Sequence, residues 1–466
     1  MTSPGNGREV DVVVVGLGPG GESAATQLAQ AGLEVLAVDR RLVGGECPYY
    51  GCIPSKMMVR AADVLAEARR VDDLAGTATV TADWAAVARR IKEEATADWD
   101  DTIAVERLQK AGATVLHGAA RLAGPRQVEV AGETWTARRG VVLNTGTEPA
   151  APPVDGLADT PYWTNRDAVR AETAPASLVV LGGGAIGAEM AQAFARFGTR
   201  VTVVELFDRI LAVEEPEASK VVADVFAREG IQVLTDTSVE RVSYDDGTFT
   251  VEAAGQTLTA DRLLVATGRR TNIAEIGLDT VGLDPGHRTL DTDGRMRVTG
   301  ADGLWAIGDI TGKGAFTHVS MYQAAIAVRD ILGQDGPEAA YHAVPRVTFT
   351  DPEVGSVGMT ERQARDAGLN VQVGTTDLSA STRGWIGEGR GRHQAGRRRR
   401  PRRAGRRDRR RPGRRRGALD ARDGRARRGA GAAAAVDDLR LPDVPPCGRR
   451  GGQAARLLGW RAIDIL

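Results

Sequence analysis

The apolar pattern of the chain is stated once and then repeated. Val10 to Val15 is an unbroken β-branched run of the kind a strand buried on both faces requires, and it ends in Gly16-Leu17-Gly18-Pro19-Gly20-Gly21. A stretch with helical spacing, Ser23 to Ala31, follows, and a second strand, Glu34 to Val38, closes on Asp39. Later the same order returns: strand Ser177 to Leu181, turn Gly182-Gly183-Gly184-Ala185-Ile186-Gly187, helix Ala188 to Phe197, strand Val201 to Val204, then Glu205. Strand, glycine turn, helix, strand and acidic end are the parts of a dinucleotide-binding unit in their proper order. The glycines let the backbone approach a pyrophosphate at the helix N-terminus, and the carboxylate accepts hydrogen bonds from ribose hydroxyls. Two such units predict two dinucleotides, or one dinucleotide beside a second cofactor.

Between the units, Asp83 to Lys110 has helical spacing, and short strands run on to Leu143, ending in Asn144-Thr145-Gly146. A parallel ending, Ala266-Thr267-Gly268, closes the strand Arg262 to Val265. Leu304 to Ile307 delivers Asp309 to the C-terminal end of an apolar strand, where ligands bind in open parallel sheets; the same residue also suits a cap on the helix that follows. From Val344 the pattern becomes antiparallel: Arg346 to Thr350, Asp351-Pro352-Glu353, Val354 to Gly358, and a helix near Thr360, reading normally to about Ile386.

Composition changes this picture only at the end of the chain. The 466 residues are 42% hydrophobic, with no apolar run of membrane-spanning length and no cationic-then-apolar leader, so a soluble, cytoplasmic protein of roughly three domains is expected. The formal net charge of zero hides a split: residues 391–466 carry 24 Arg, 7 Asp and neither Lys nor Glu, leaving 37 basic against 54 acidic groups before them.

Two of only three cysteines, Cys47 and Cys52, lie in GGECPYYGCIPSK, Gly44 to Lys56. Four intervening residues fit one helical turn, and thiols at a helix start have lowered pKa values, so a reversible redox pair is chemically sensible. Spacing alone leaves two small buried apolar residues as the alternative. A carboxylate at Glu205 favours a free 2′-hydroxyl and hence NADH over NADPH; Arg200 and Arg209 either soften that preference or are solvated surface charges.

Taken together, these motifs resemble the class I flavin disulfide reductases, the family of dihydrolipoyl dehydrogenase, glutathione reductase and mercuric reductase. The likeness covers residues 10 to about 386 and rests on GGECPYYGCIPSK, both glycine turns, ATGRRTN (Ala266–Asn272), AIGD (Ala306–Asp309) and FTDPEVGSVG (Phe349–Gly358). The resemblance implies an α/β fold of two Rossmann-type domains, one for FAD (1–150 and 268–335) and one for NAD(P) (151–267), with an incomplete α+β dimerisation domain (340–390). It places FAD on Gly16, Gly18, Gly21 and Asp39, with Asp309 on the ribityl chain, and the nicotinamide dinucleotide on Gly182, Gly184, Gly187 and Glu205. Gly146 and Gly268, at the two strand endings, join the cofactor sites. Lys56 and Glu189 match the family pair beside the reactive edge of the flavin. Hydride then passes from the nicotinamide to FAD, to the Cys47–Cys52 disulfide, and to a small disulfide or dithiol; Cys52 is the flavin-side thiolate and Cys47 the exchange thiol. Glu46, Pro48, Tyr49 and Tyr50 depart from the usual residues around these cysteines, and Cys447 stands alone, unlike the paired cysteines near the end of mercuric reductase.

The family also carries a late His followed five residues on by Glu, acting on the partner's disulfide, and here no His follows His393. In its place stands an Arg-, Gly-, Ala- and Pro-rich tail whose composition reads as disordered. Dropping the first base of codons for Val436 to Cys447 permits Ser-Thr-Ile-Tyr-Ala-Tyr-Pro-Thr-Phe-His, with Glu permitted five codons later, close to the family's acid–base segment. A frameshift between about Ile386 and His393 is therefore expected, with low disulfide turnover and a doubtful homodimer. The rival reading makes Arg397–Arg400, Arg402, Arg403, Arg406 and Arg407 a nucleic-acid-binding arm, though no aromatics interleave for base stacking. A diaphorase or quinone reductase is a further alternative, needing neither dyad nor dimer.

Overall fold

In the computed structural model, which describes residues 8–387 and 397–399, the first apolar run is strand β1 (Arg8–Val15), with Val12 to Val15 almost fully buried. Helix α1 (Pro19–Gln30) leads from it to β2 (Val35–Asp39), which pairs with β1 in parallel. The helix begins earlier than the spacing predicts because Pro19 opens it, where no N–H donor is needed, and Gly20 and Gly21 are buried in its first turn. The cysteine motif becomes two helices, α2 (Glu46–Tyr49) and α3 (Cys52–Arg69), parted at Tyr50 and Gly51.

Short α4 (Val71–Leu74) precedes α5 (Trp84–Arg90) and α6 (Thr102–Lys110). The single helical stretch expected over 83–110 is thus interrupted, by a π-helical turn (Ile91–Ala95) and then Ala97, Asp98 and Trp99 in the left-handed region. Buried Thr96 explains the break: its hydroxyl donates to the Ile91 and Lys92 carbonyls and competes with helix propagation.

Strands β3 (Thr114–His117), β4 (Ala120–Gly124), β5 (Gln127–Val130) and β6 (Glu133–Leu143) complete the first sheet in the order β3-β2-β1-β6-β5-β4. Strand β6 is parallel to β1 and antiparallel to β5. The chain leaves through β7 (Thr147–Pro149) and short α7 (Asn165–Ala168). The second unit follows as β8 (Ser177–Leu181), α8 (Ala185–Arg196), β9 (Arg200–Val204), α9 (Pro216–Arg228) and β10 (Gln232–Leu234). After an antiparallel sheet of β11 (Val239–Asp245), β12 (Thr248–Ala253) and β13 (Gln256–Ala260), strand β14 (Arg262–Val265) joins a parallel sheet ordered β10-β9-β8-β14. The return runs through β15 (Arg269–Thr271), paired with β7, to β16 (Leu304–Ala306), which adds to β6 in the first sheet. Helix α10 (Thr317–Ile331) covers that sheet, and a hairpin of β17 (Pro345–Thr348) and β18 (Val354–Val357) precedes α11 (Glu361–Asp366), capped reciprocally by Thr360 and Gln363.

The expected α/β class, with two parallel dinucleotide-type sheets, is what forms. One apolar cluster joins the two units: Met58 and Ala62 of α3 and Trp84 of α5 pack with Ala188, Ala191 and Phe194 of α8. The Trp84 and Phe194 rings stack at 4.7 Å, and burying each such aromatic is worth about 1.5–3 kcal/mol. No described helix is long and apolar enough to cross a membrane. The tail beyond residue 399, Cys447 and the recoded acid–base segment lie outside the described residues, as do 388–396; of the Arg run only 397–399 are described, paired with 375–377.

Candidate active site

Gly51 sets the geometry of the cysteine pair. The motif does not form the single helical turn expected; Cys47 sits in α2, and the chain kinks at Gly51 before Cys52 opens α3. A Cβ on Gly51 would press to 3.2 Å from the Glu46 carbonyl oxygen. Both cysteines are free, and their thiols still interact, each shifting the other.

Cys52 lies where two helices begin. It is the first residue of α3, and its sulfur is 3.5 Å from the hydroxyl of Thr317, the first residue of α10. Helix N-termini favour negative charge. The hydrogen bond from Cys47 does most to pull the Cys52 thiol down to about 6; burial opposes this, and Thr317 and the Lys56 ammonium add to it. The same bond, with burial, pushes Cys47 up, so the shared proton rests on Cys47. Cys52 thus holds a thiolate facing the cavity, beside a Cys47 thiol that keeps its proton.

Lys56 and Glu189 form an ion pair of 2.6 Å. The other oxygen of buried Glu189 accepts from the Phe349 N–H at 2.9 Å, and the Phe349 ring lies 4.4 Å from the Lys56 ammonium. Gly16, Gly18, Asp39, Cys47, Cys52, Lys56, Gly146, Glu189 and Asp309 all line one cavity of about 1150 Å³. The Asp309 carboxylate accepts from Thr147 at 2.6 Å.

This cavity fits a flavin dinucleotide on its own chemistry. The buried Thr145 hydroxyl lines it without a partner, and Gly18 leaves the backbone at the start of α1 open, since an added Cβ would meet only the Asn144 amide at 3.4 Å. Asp39 accepts from Leu17 N–H at 2.6 Å and Arg41 N–H at 2.8 Å, keeping lone pairs for ribose hydroxyls; burial pushes its carboxyl up. Gly21 lies beneath, where a Cβ would collide with the Gly16 carbonyl oxygen.

The second turn repeats this arrangement. Glu205 accepts from Gly183 N–H at 2.6 Å and Phe207 N–H at 2.9 Å. A Cβ on Gly187 would collide with the Gly182 carbonyl oxygen, and Gly184, the N-cap of α8, has nothing within 4 Å of where its Cβ would be, which suits an approaching pyrophosphate. Arg209 is bound to Asp208 at 2.8 Å and to the Ala212 carbonyl at 3.0 Å. Gly268 is outside the cavity, between β14 and β15, where its carbonyl accepts from Ala150 N–H.

Two groups carried no sequence signal. Thr147 and Thr317 matter only because the fold carries them to Asp309 and Cys52 from distant segments. Phe349 lies in the FTDPEVGSVG motif, but only the fold shows that its N–H reaches Glu189. The unusual residues of the cysteine turn have partners of their own. Glu46 pairs with Arg166 and, at 3.4 Å, with Arg269; Asn165 donates to the Tyr50 carbonyl at 2.8 Å, and Trp99 to the Tyr49 carbonyl at 3.2 Å. The Tyr50 ring faces the Arg166 and Arg170 guanidiniums at 5.5 and 5.0 Å.

A glycine turn and a dithiol on one cavity, which α8 of the second glycine-turn unit reaches through Glu189, suit a flavoprotein redox enzyme with a thiol relay. The chain belongs to the pyridine nucleotide-disulphide oxidoreductase family, whose profile matches residues 10–344, with the family's dimerisation domain matching 344–394. It is 35% identical to a dihydrolipoyl dehydrogenase of Chlorobaculum tepidum over 383 residues, 80% of this chain and 81% of that one. It is 34% identical to a mercuric reductase of Shigella flexneri over 80% of this chain and 68% of that one. Among solved structures, the HOCl-induced flavoprotein disulfide reductase RclA of Escherichia coli superposes with a TM-score of 0.71 at 28% identity, covering 82% of this chain and 85% of that one. The chain is accordingly an FAD- and NAD(P)H-dependent disulfide oxidoreductase.

Proposed function

We propose that this enzyme uses NADH to reduce a small disulfide, or runs the reverse oxidation of a dithiol such as dihydrolipoamide, with Cys47, Cys52, Lys56 and Glu189 as its catalytic residues. The observation that carries the reading is the single cavity holding the Cys52 thiolate, the Lys56–Glu189 pair and the first glycine turn. FAD, when bound, takes the hydride and passes its electron pair to the disulfide. The chain's own residues do the rest. Thr317, Lys56 and two helix N-termini hold the charge on Cys52, while the thiol of Cys47, once it gives up its proton, attacks a substrate disulfide and releases the first thiol. Cys52 then attacks the Cys47 sulfur, releasing the second thiol and restoring the Cys47–Cys52 disulfide.

NADH is preferred over NADPH in this reading because a carboxylate at Glu205, after β9, would repel a 2′-phosphate, and Arg209 is engaged with Asp208. The boundaries 1–150 with 268–335, 151–267 and 340–390 stay as proposed domains, Gly268 stays a proposed contact of the cofactor sites, and a reducing, cytoplasmic setting suits the free dithiol. Replacing Cys47 by Ser distinguishes this function from a diaphorase: NADH-driven disulfide reduction is lost, whereas reduction of quinones or dyes survives if that is the true activity.

The homodimer and its acid–base residues are a separate matter. The family match stops at residue 394, and a fifth of this chain and a fifth of the Chlorobaculum relative remain unmatched at comparable length. That supports a reading frame changed between about Ile386 and His393 rather than a basic arm. As printed, the chain should hold the flavin half-reaction and turn over disulfides poorly. Sequencing the gene across this region tests the idea; codons that encode no family-like frame sink it.

A further inference from the structure

Helix α8 carries a stripe of buried polar residues, Glu189, Gln192 and Arg196, spaced to lie along one face. At one end Glu189 holds Lys56 of α3. Seven residues along both helices, or about 10.5 Å on, Arg196 holds Asp63 of the same helix at 2.6 Å. Arg196 also binds Glu229 at 2.7 Å and Asp351 at 2.7 Å, and its own carbonyl accepts from Arg69 at 2.9 Å. On the other flank the segment 349–351 is tied in at each step: Phe349 N–H to Glu189, Asp351 N–H to Gln192 at 2.7 Å, and the Asp351 carboxylate to Arg196. The two ion pairs therefore fix the register of the cysteine-bearing helix against the nicotinamide-side helix.

We propose that Arg196, with Asp63, is a positioning residue for hydride transfer: it sets the Lys56–Glu189 pair in place from two helical turns away. The inference rests on the functional reading above. A guanidinium with five donors is suited to this, because it answers three carboxylates at once. A lysine does not. Without the Asp63–Arg196 rung, α3 keeps its apolar face, Lys56 itself and the bond from Arg69 at its last residue to the Arg196 carbonyl, and no ion pair but Lys56–Glu189 then fixes its register, so the ammonium that favours the Cys52 thiolate and faces the flavin cavity loses its fixed position.

The test compares wild type with Asp63→Asn and Arg196→Lys, each purified with FAD. Asp63 lies half-exposed, so its variant removes the rung with least risk to folding. Two quantities are read: the stopped-flow rate of flavin reduction by NADH, and the pH midpoint of the long-wavelength thiolate–flavin absorbance of Cys52 in the two-electron-reduced enzyme. Expected are rates lower by about ten- to a hundredfold, since a misplacement of about 1 Å can cost about a hundredfold, with the thiolate midpoint moved upward as Lys56 is released. A merely structural role would lower the melting temperature and leave the midpoint where it is. Variants that match wild type in both readouts overturn the proposal, as does a slowed rate with an unmoved midpoint. If wild type itself shows neither flavin reduction by NADH nor the thiolate band, the functional reading fails instead.

Discussion

Replacing Thr317 by Val should raise the pH at which the Cys52 thiolate is lost, by about one unit. The substitution keeps the shape and β-branching of the side chain at the first position of α10 and removes only the hydroxyl that lies 3.5 Å from the Cys52 sulfur. A hydrogen bond to a charged group contributes about 1.5–3 kcal/mol, and at this length the lower figure applies. Since 1.36 kcal/mol corresponds to one pKa unit, the midpoint should move from about 6 to about 7. The sign follows from which form the bond favours: Thr317 donates to the thiolate, so losing it makes protonation easier and the thiolate disappears at higher pH. The assay is the long-wavelength thiolate–flavin absorbance of the two-electron-reduced enzyme, recorded from pH 9 downward. The band is present above the midpoint and fades below it. A midpoint unmoved by the substitution refutes the assignment of Thr317, and a midpoint in wild type near that of free cysteine refutes the convergence of helix termini on Cys52.

Three further outcomes are expected. Cys47→Ser should abolish turnover of disulfides while leaving the thiolate band, because the Ser hydroxyl can still donate to Cys52 whereas the exchange sulfur is gone; steady-state disulfide reduction beside the spectrum checks both. Glu205→Gln should shrink the preference for NADH over NADPH by about tenfold, equivalent to about 1.4 kcal/mol, measured as the ratio of kcat/KM values. Protein from a gene restored to the family-like frame after residue 386 should gain disulfide turnover and sediment as a dimer, whereas the chain as printed should do neither well.

Both dinucleotide units were legible because each combines a buried β-branched strand, a glycine turn and an acidic end in a fixed order that the backbone alone enforces. Element starts were less so: α1 begins at Pro19 because the glycines themselves enter the first turn, and buried Thr96 breaks the expected helix over 83–110 through side-chain bonds that composition does not reveal. The cysteine motif gave the chemistry correctly but its local shape incorrectly, since one glycine divides the expected turn into two helices. Asp309 stood open between capping a helix and facing a ligand; its bond with Thr147 and its place on the cavity favour the second. Thr317 and Arg196 were invisible for a common reason. Each acts on a residue more than 100 positions away, and nothing in its own neighbourhood marks it.

The central claim is that Cys52, Cys47 and FAD are assembled in one redox unit fed by NADH, and an anaerobic NADH titration of the purified chain tests it most directly. The account predicts a flavin spectrum that develops the long-wavelength thiolate band after two electrons. A flavin that bleaches without that band, or protein that carries no flavin at all, would contradict it.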